Sequence, residues 1–211
     1  MAIWEQNRRR ALEKLREDLE RGLVDEDIIF LLEEINRREY FYTTSSCSGR
    51  IGIIHVPPSR KKHECFWIYK SHSPVDAEAM RRALIENREK IYGVAIFKQE
   101  PPIIDIAARS LEDAQKLLSL GRAAGFKNSG VKSYNPKRGY EALVELRSTE
   151  KIEAPIAWSD YIIPREYFDR LVSYANENLM RSKQKLRRLY ELLRSLRSFL
   201  CSLRSSRLLR L

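Results

Sequence analysis

Three short segments carry the residue types that could do chemistry. The first, Thr43-Thr44-Ser45-Ser46-Cys47-Ser48-Gly49-Arg50, gathers small hydroxyl side chains, a glycine and a fixed positive charge. A loop of this kind leaves backbone amides open and can hold a carboxylate or a phosphate. The same string also reads as a turn whose hydroxyls satisfy their own backbone. The second, Trp67-Ile68-Tyr69-Lys70-Ser71-His72-Ser73-Pro74, ends an aromatic strand on a histidine. That histidine can act as a general base, hydrogen-bond a flat ring, or simply hold a loop. The third, Phe126-Lys127-Asn128-Ser129-Gly130, offers an amide and a hydroxyl beside a glycine that tolerates close approach to the backbone.

Other constellations are missing. No Gly-x-Gly-x-x-Gly follows a strand, so a Rossmann cofactor site is not expected, and there is no Walker loop. Cys47, His55, His63, Cys65 and His72 have no paired Cys-x-x-Cys spacing, and no metal is assigned to them.

The elements that must position these residues follow from periodicity. Residues 2–21 read as a helix ended by Gly22, and Asp25 reads as the cap of a second helix through Ile35. The Tyr40–Thr44 run leads into the Ser-Cys-Ser-Gly loop, then a strand to Val56 that Pro57-Pro58 stops. Cys65–Lys70 is a return strand and Asp76–Lys90 a third helix. Val94–Gln99 and Ile103–Ala108 are strands split by Pro101-Pro102, and Leu111–Ala124 is a helix ended by Gly125. A hairpin turns at Asn135–Gly139 and returns along Ala142–Arg147. From Pro164 onward Phe168, Val172, Ala175, Leu179, Ser182, Leu186, Leu189, Leu193, Leu196, Leu200 and Leu203 recur at spacings of three and four. That is the stripe of one long helix, with the N-terminal helix, or a second subunit, as its expected partner. The expected fold is α+β: a mixed or antiparallel sheet layered with helices, non-Rossmann, with a long C-terminal helix.

Charge is unevenly placed. Residues 181–211 hold ten Lys and Arg against one acidic residue, Glu191, leaving residues 1–180 with 29 basic and 28 acidic residues. The division expected is a near-neutral domain at 1–180 and a basic extension of the C-terminal helix at 181–211. A concentrated basic arm implies a polyanion, nucleic acid or an acidic membrane surface, unless it is merely a solvated helix face. Three scattered cysteines, a charged N-terminus and no long apolar run fit a cytoplasmic protein that does not span a membrane.

Taken together, the segments resemble the wybutosine-synthesis tRNA methyltransferase family, the third enzyme of the eukaryotic pathway and its archaeal homologues. The similarity runs from about Val24 to about Asn176, and its most specific piece is Tyr42-Thr43-Thr44-Ser45-Ser46-Cys47-Ser48-Gly49-Arg50-Ile51. Trp67, Ser71 and His72 match a second signature, Glu100-Pro101 follows, and Lys127-Asn128-Ser129-Gly130-Val131 matches a third. Arg147-Ser148, Pro155 and Ala175-Asn176 match further on. The family commonly has His on the strand where this chain has Asp105, and an aromatic where it has Gln99.

The resemblance implies methyl transfer from S-adenosylmethionine to a ring nitrogen of the tricyclic base beside the anticodon of tRNA-Phe. A division of labour is expected on that basis: Ser45, Ser46, Cys47, Ser48, Gly49 and Arg50 bind the cofactor, with Arg50 on its carboxylate and Asn128, Ser129 and Gly130 bordering the same cleft. His72 is the expected catalytic group, with Glu100 and Asp105 in reserve, while Tyr42, Trp67 and Tyr69 stack on flat rings or fill the core. The rival reading is a non-catalytic tRNA-binding protein, and a third is a helix lying on anionic lipid. The protein is expected to be a monomer, or a homodimer through its terminal helices.

Overall fold

Among the described residues, every pairing between the named strands is antiparallel, in two separate four-stranded sheets. The computed structural model describes residues 3–208, except for the side chains of Arg138 and residues 196–208. Leu196, Leu200 and Leu203 of the expected stripe, and the cations Arg197, Arg204, Arg207 and Arg210, therefore lie outside the described side chains. The chain forms two compact units, and each is discontinuous: residues 1–47, 102–149 and 184–211 make the first, and residues 48–101 and 150–183 the second.

The first unit contains α1 (Ile3–Glu20), α2 (Ile29–Asn36), β1 (Phe41–Cys47), β5 (Ile103–Ala108), α4 (Leu111–Ala124), β6 (Gly130–Asn135) and β7 (Tyr140–Arg147), in strand order β1-β5-β7-β6. Period-two alternation sorts its side chains. Ile104, Ile106, Val144 and Leu146 bury one face against Leu31 and Ile35 of α2 and Leu117 of α4. The opposite face is apolar only at one end, where Tyr42 and Ala107 meet Trp4 of α1. Ser110 caps α4 by accepting from the Asp113 amide at 3.1 Å, and Gly125 ends it at φ +103°, where a side chain would be strained. Asp25 precedes a 3-10 turn and makes no side-chain capping bond there; α2 proper begins only at Ile29.

The second unit contains β2 (Arg50–Val56), β3 (Phe66–Ser71), α3 (Ala77–Glu86), β4 (Val94–Glu100) and β8 (Ile152–Ala157), in strand order β3-β2-β4-β8. Ile51, Ile53 and Phe97 form its core with Met80 and Leu84 of α3. Asp76 caps α3 by accepting from the Ala79 amide at 2.7 Å. β8 was not expected, because Pro155 interrupts its pattern. As an edge strand paired only with β4, it can carry a residue that has no amide to donate.

One helix, α5 (Arg165–Leu208), contributes to both cores. Phe168, Val172, Ala175 and Leu179 belong to the second unit's core, and Leu186, Leu189 and Leu193 to the first unit's. Ser182, the polar interruption of the stripe, is buried between these runs and donates to the Leu179 carbonyl at 2.7 Å. Over its described part the C-terminal stripe does not take the N-terminal helix as its main partner: Leu186, Leu189 and Leu193 pack with α2, α4 and the sheet, and α1 adds only Leu15 at the margin of that cluster. No described helix is long and apolar enough to cross a membrane.

Candidate active site

The Ser-Cys-Ser-Gly segment is mostly strand, where a loop was expected. Ser45, Ser46 and Cys47 complete β1, Arg50 opens β2, and only Ser48 and Gly49 lie between strands. Gly49 sits at φ +91°, a conformation that favours glycine. Its two strands belong to different sheets, so the predicted cofactor residues divide between the units.

In the first unit, β-sheet register gathers widely separated residues into one row. Ser45 pairs with Asp105, Asp105 with Glu145, and Glu145 with Gly130. At about 4.8 Å per strand, the row spans about 14 Å. It lies on the face opposite the main core, next to the Tyr42–Ala107 cluster. Both edge strands are irregular here: the register shifts between Thr43 and Ser45 on one side and between Val131 and Ser133 on the other, leaving Thr44 and Lys132 as extra residues. Such bulges re-aim side chains. Thr44 donates to the Asp105 carbonyl at 3.3 Å, and Lys132 donates to the Asp105 carboxylate at 2.8 Å. Lys132 also lies 3.5 Å from Glu145, whose other oxygen is 3.4 Å from Arg147 Nε. The hydrogen bond that Lys132 donates to Asp105 raises the Lys132 pKa, keeping it an ammonium.

Asn128, Ser129 and Gly130 are fixed to the end of β7. The Asn128 amide donates to the Arg147 carbonyl at 3.1 Å, and Ser129 Oγ accepts from the Arg147 amide at 3.1 Å while donating to the Phe126 carbonyl at 2.7 Å. Open space surrounds the position a Cβ would take on Gly130, so no internal contact requires a glycine there. At the other edge, the Asn36 amide of α2 holds β1 by accepting from the Thr43 N–H at 2.9 Å and donating to its hydroxyl at 2.8 Å. A pocket of about 480 Å³ lies between α1 and Thr43–Ser46, with Arg10 and Lys14 on its wall. Tyr42 is buried against Trp4, with ring centroids 4.8 Å apart, and burial pushes its hydroxyl up to about 12. It is a core residue and not a stacking platform.

In the second unit, Arg50 pairs across strands with Glu100 and donates from Nε to its carboxylate at 2.5 Å. The guanidinium also lies over the Trp67 ring, 4.9 Å from the centroid. Gly52 is what lets that ring lie flat on β2: a Cβ there would meet Trp67 ring carbons at 2.7 and 2.9 Å and the Tyr69 carbonyl at 2.5 Å. His72 follows β3 directly, and its Nδ1 is 3.0 Å from the Gly49 carbonyl. A carbonyl only accepts, so Nδ1 is the donor in this contact. The loop after His72 is clamped from α5, where Asn176 accepts from the Val75 amide and donates to the Val75 carbonyl, both at 2.9 Å.

Sequence reasoning missed Lys132, Glu145 and Gly52. The first two become visible only through register, and the third only through the ring it admits.

Two wholly antiparallel sheets layered with helices define a non-Rossmann α+β protein. Residues 6–195 match the family model described as Methyltransferase TYW3. The chain belongs to this methyltransferase family, which sets aside the reading as a non-catalytic binder. It is 38% identical over 202 residues to a Thermococcus sibiricus protein named tRNA(Phe) 7-((3-amino-3-carboxypropyl)-4-demethylwyosine(37)-N(4))-methyltransferase, covering 93% of this chain and all of that one. A Methanocaldococcus jannaschii protein of the same name is 35% identical, with 87% and 93% covered. The solved structure of the PH1069 protein from Pyrococcus horikoshii matches with a TM-score of 0.82 at 37% identity, covering 90% of this chain and 95% of that chain.

Proposed function

We propose that this protein methylates N4 of 7-(3-amino-3-carboxypropyl)-4-demethylwyosine at position 37 of tRNA-Phe, with S-adenosylmethionine as methyl donor. The observation that carries the proposal is similarity over essentially the full length of relatives bearing that name. The residues present fit such a donor. Asp105 keeps one buried carboxylate oxygen without a partner, Ser45 is an exposed hydroxyl beside it, and the space over Gly130 is open. When bound, the donor supplies a methyl group already activated on a sulfonium, so the protein's task is to align the acceptor and accept one proton.

On this reading Ser45, Ser46, Cys47, Ser48, Gly49 and Arg50, with Asn128, Ser129 and Gly130, bind the donor. The Glu100 contact at Nε holds the Arg50 guanidinium in a set orientation, which makes Glu100 a positioning residue. His72 accepts the proton. Asp105, where the family resemblance implies histidine, serves through its charge and its contact with Lys132. The basic residues of α5 meet the tRNA backbone, and we place the activity in the cytoplasm. Calorimetry with S-adenosylmethionine, followed by a methylation assay on tRNA-Phe carrying the demethylated base, tests the proposal. Micromolar donor binding and one methyl group per tRNA are expected; absence of donor binding at millimolar concentration would overturn it.

A further inference from the structure

The row Ser45–Asp105–Glu145–Gly130 carries two carboxylates and, from Lys132 and Arg147, two cations, all on the face of the first unit's sheet turned away from the main core. From this arrangement we propose that Asp105, Lys132, Glu145 and Arg147 form a recognition subsite for an α-amino-acid zwitterion. The inference rests on the proposed function and deepens it. Three observations converge. The cluster is charge-balanced, which suits a ligand of zero net charge and not a phosphate. Its charges alternate along the network: Asp105 to Lys132 at 2.8 Å, Lys132 to Glu145 at 3.5 Å, and Glu145 to Arg147 at 3.4 Å. An ammonium and a carboxylate joined to one carbon can interleave with such a series, the ammonium on Asp105 and Glu145 and the carboxylate on Lys132 and Arg147.

The third observation is that the network is incomplete. Asp105 is only 7% exposed, Lys132 satisfies one of its oxygens, and the other is buried without a partner. A buried carboxylate oxygen left unsatisfied is costly, and an incoming N–H donor removes that cost. The bulge at Lys132 adds to this, since it is what turns a cation on an edge strand toward the sheet centre. A purely structural ion pair on this face would not need a buried acceptor left open.

Two molecules in the proposed reaction carry this zwitterion: the methyl donor, on its methionine end, and the acceptor base, on its aminocarboxypropyl chain. Binding of four ligands to the wild type and to Asp105→Asn and Lys132→Gln tells them apart. S-adenosylhomocysteine is paired with 5′-methylthioadenosine, which lacks the amino-acid group. tRNA-Phe with the aminocarboxypropyl chain at position 37 is paired with tRNA-Phe bearing 4-demethylwyosine. In one pair, both substitutions should weaken the zwitterion-bearing member by about tenfold or more and leave its truncated counterpart unchanged. The pair affected identifies the source. If both members of each pair weaken alike, or neither changes, the subsite is overturned. Lys132 is half exposed, so Lys132→Gln keeps the test valid even if Asp105→Asn fails to fold. A wild type that binds none of the four overturns the proposed function as well, whereas a wild type that binds them alongside indistinguishable variants overturns the subsite alone.

Discussion

His72 and His55 sit in the same unit and have opposite chemistry. The Gly49 carbonyl accepts from His72 Nδ1 and so orients the ring. Replacement by asparagine keeps a donor for that carbonyl but supplies no base. His72→Asn should therefore slow single-turnover methyl transfer by about 10²- to 10⁴-fold while donor affinity and melting temperature stay close to wild type. Loss of affinity without loss of rate would move His72 from proton transfer to binding. His55 is fully buried between Phe66 and Tyr92, at 4.9 and 4.5 Å, and neither ring nitrogen has a hydrogen-bond partner. Desolvation lowers its pKa below the ordinary 6.5. The unfolded chain thus binds a proton there before the folded chain does, and stability is lost as pH falls below that ordinary value. The urea midpoint of the wild type should fall between about pH 7 and pH 5, and His55→Phe should remove that part of the fall.

Among the elements, β2 depends most on one small residue. Adding a methyl group in Gly52→Ala would drive it into the Trp67 ring and the Tyr69 carbonyl. We expect a destabilisation of about 1–3 kcal/mol, read from denaturant midpoints, together with a shift in tryptophan emission as Trp67 leaves Arg50. Unchanged emission would mean that the ring has another resting place. Gly52 also marks how far the sequence could be read. Helix α4 was legible to the residue, because Leu111–Ala124 is amphipathic and glycine-terminated; the buried stripe of α5 was legible as far as Leu193. β1 was read as ending in a loop because Ser45, Ser46 and Cys47 lack the bulk that marks strands, yet their partners in β5 hold them extended. The site was legible as segments and not as an arrangement. Nothing local in the sequence places Lys132 against Asp105, since the contact needs strand register and a bulge.

At the scale of the whole molecule, charge and chain path both matter. Arg187, Arg188 and Arg194 are exposed on α5, while Leu186, Leu189 and Leu193 of the same turns are core. Truncation at residue 181 would therefore dismantle the first unit, but ending the chain at Ser195 spares those leucines and removes Arg197, Arg204, Arg207 and Arg210. If these four cations contact phosphate, each contributes about 0.7–0.9 to the slope of log affinity against log salt, and the shortened protein should lose about three units of slope while its melting temperature holds. An unchanged slope would assign tRNA binding to the remaining body. The discontinuity of the units, in turn, bears on how the protein is made. The polypeptide passes from one unit to the other four times, the last at residues 183 and 184. During synthesis, β1 and Asp105 leave the ribosome long before Leu186–Leu193 can close the core behind them. The first unit must wait, partly assembled, for nearly the whole chain, which implies slow, high-contact-order folding. In evolution, no single cut yields either unit as a continuous gene fragment, so neither can be exchanged alone by recombination and the two must be inherited together.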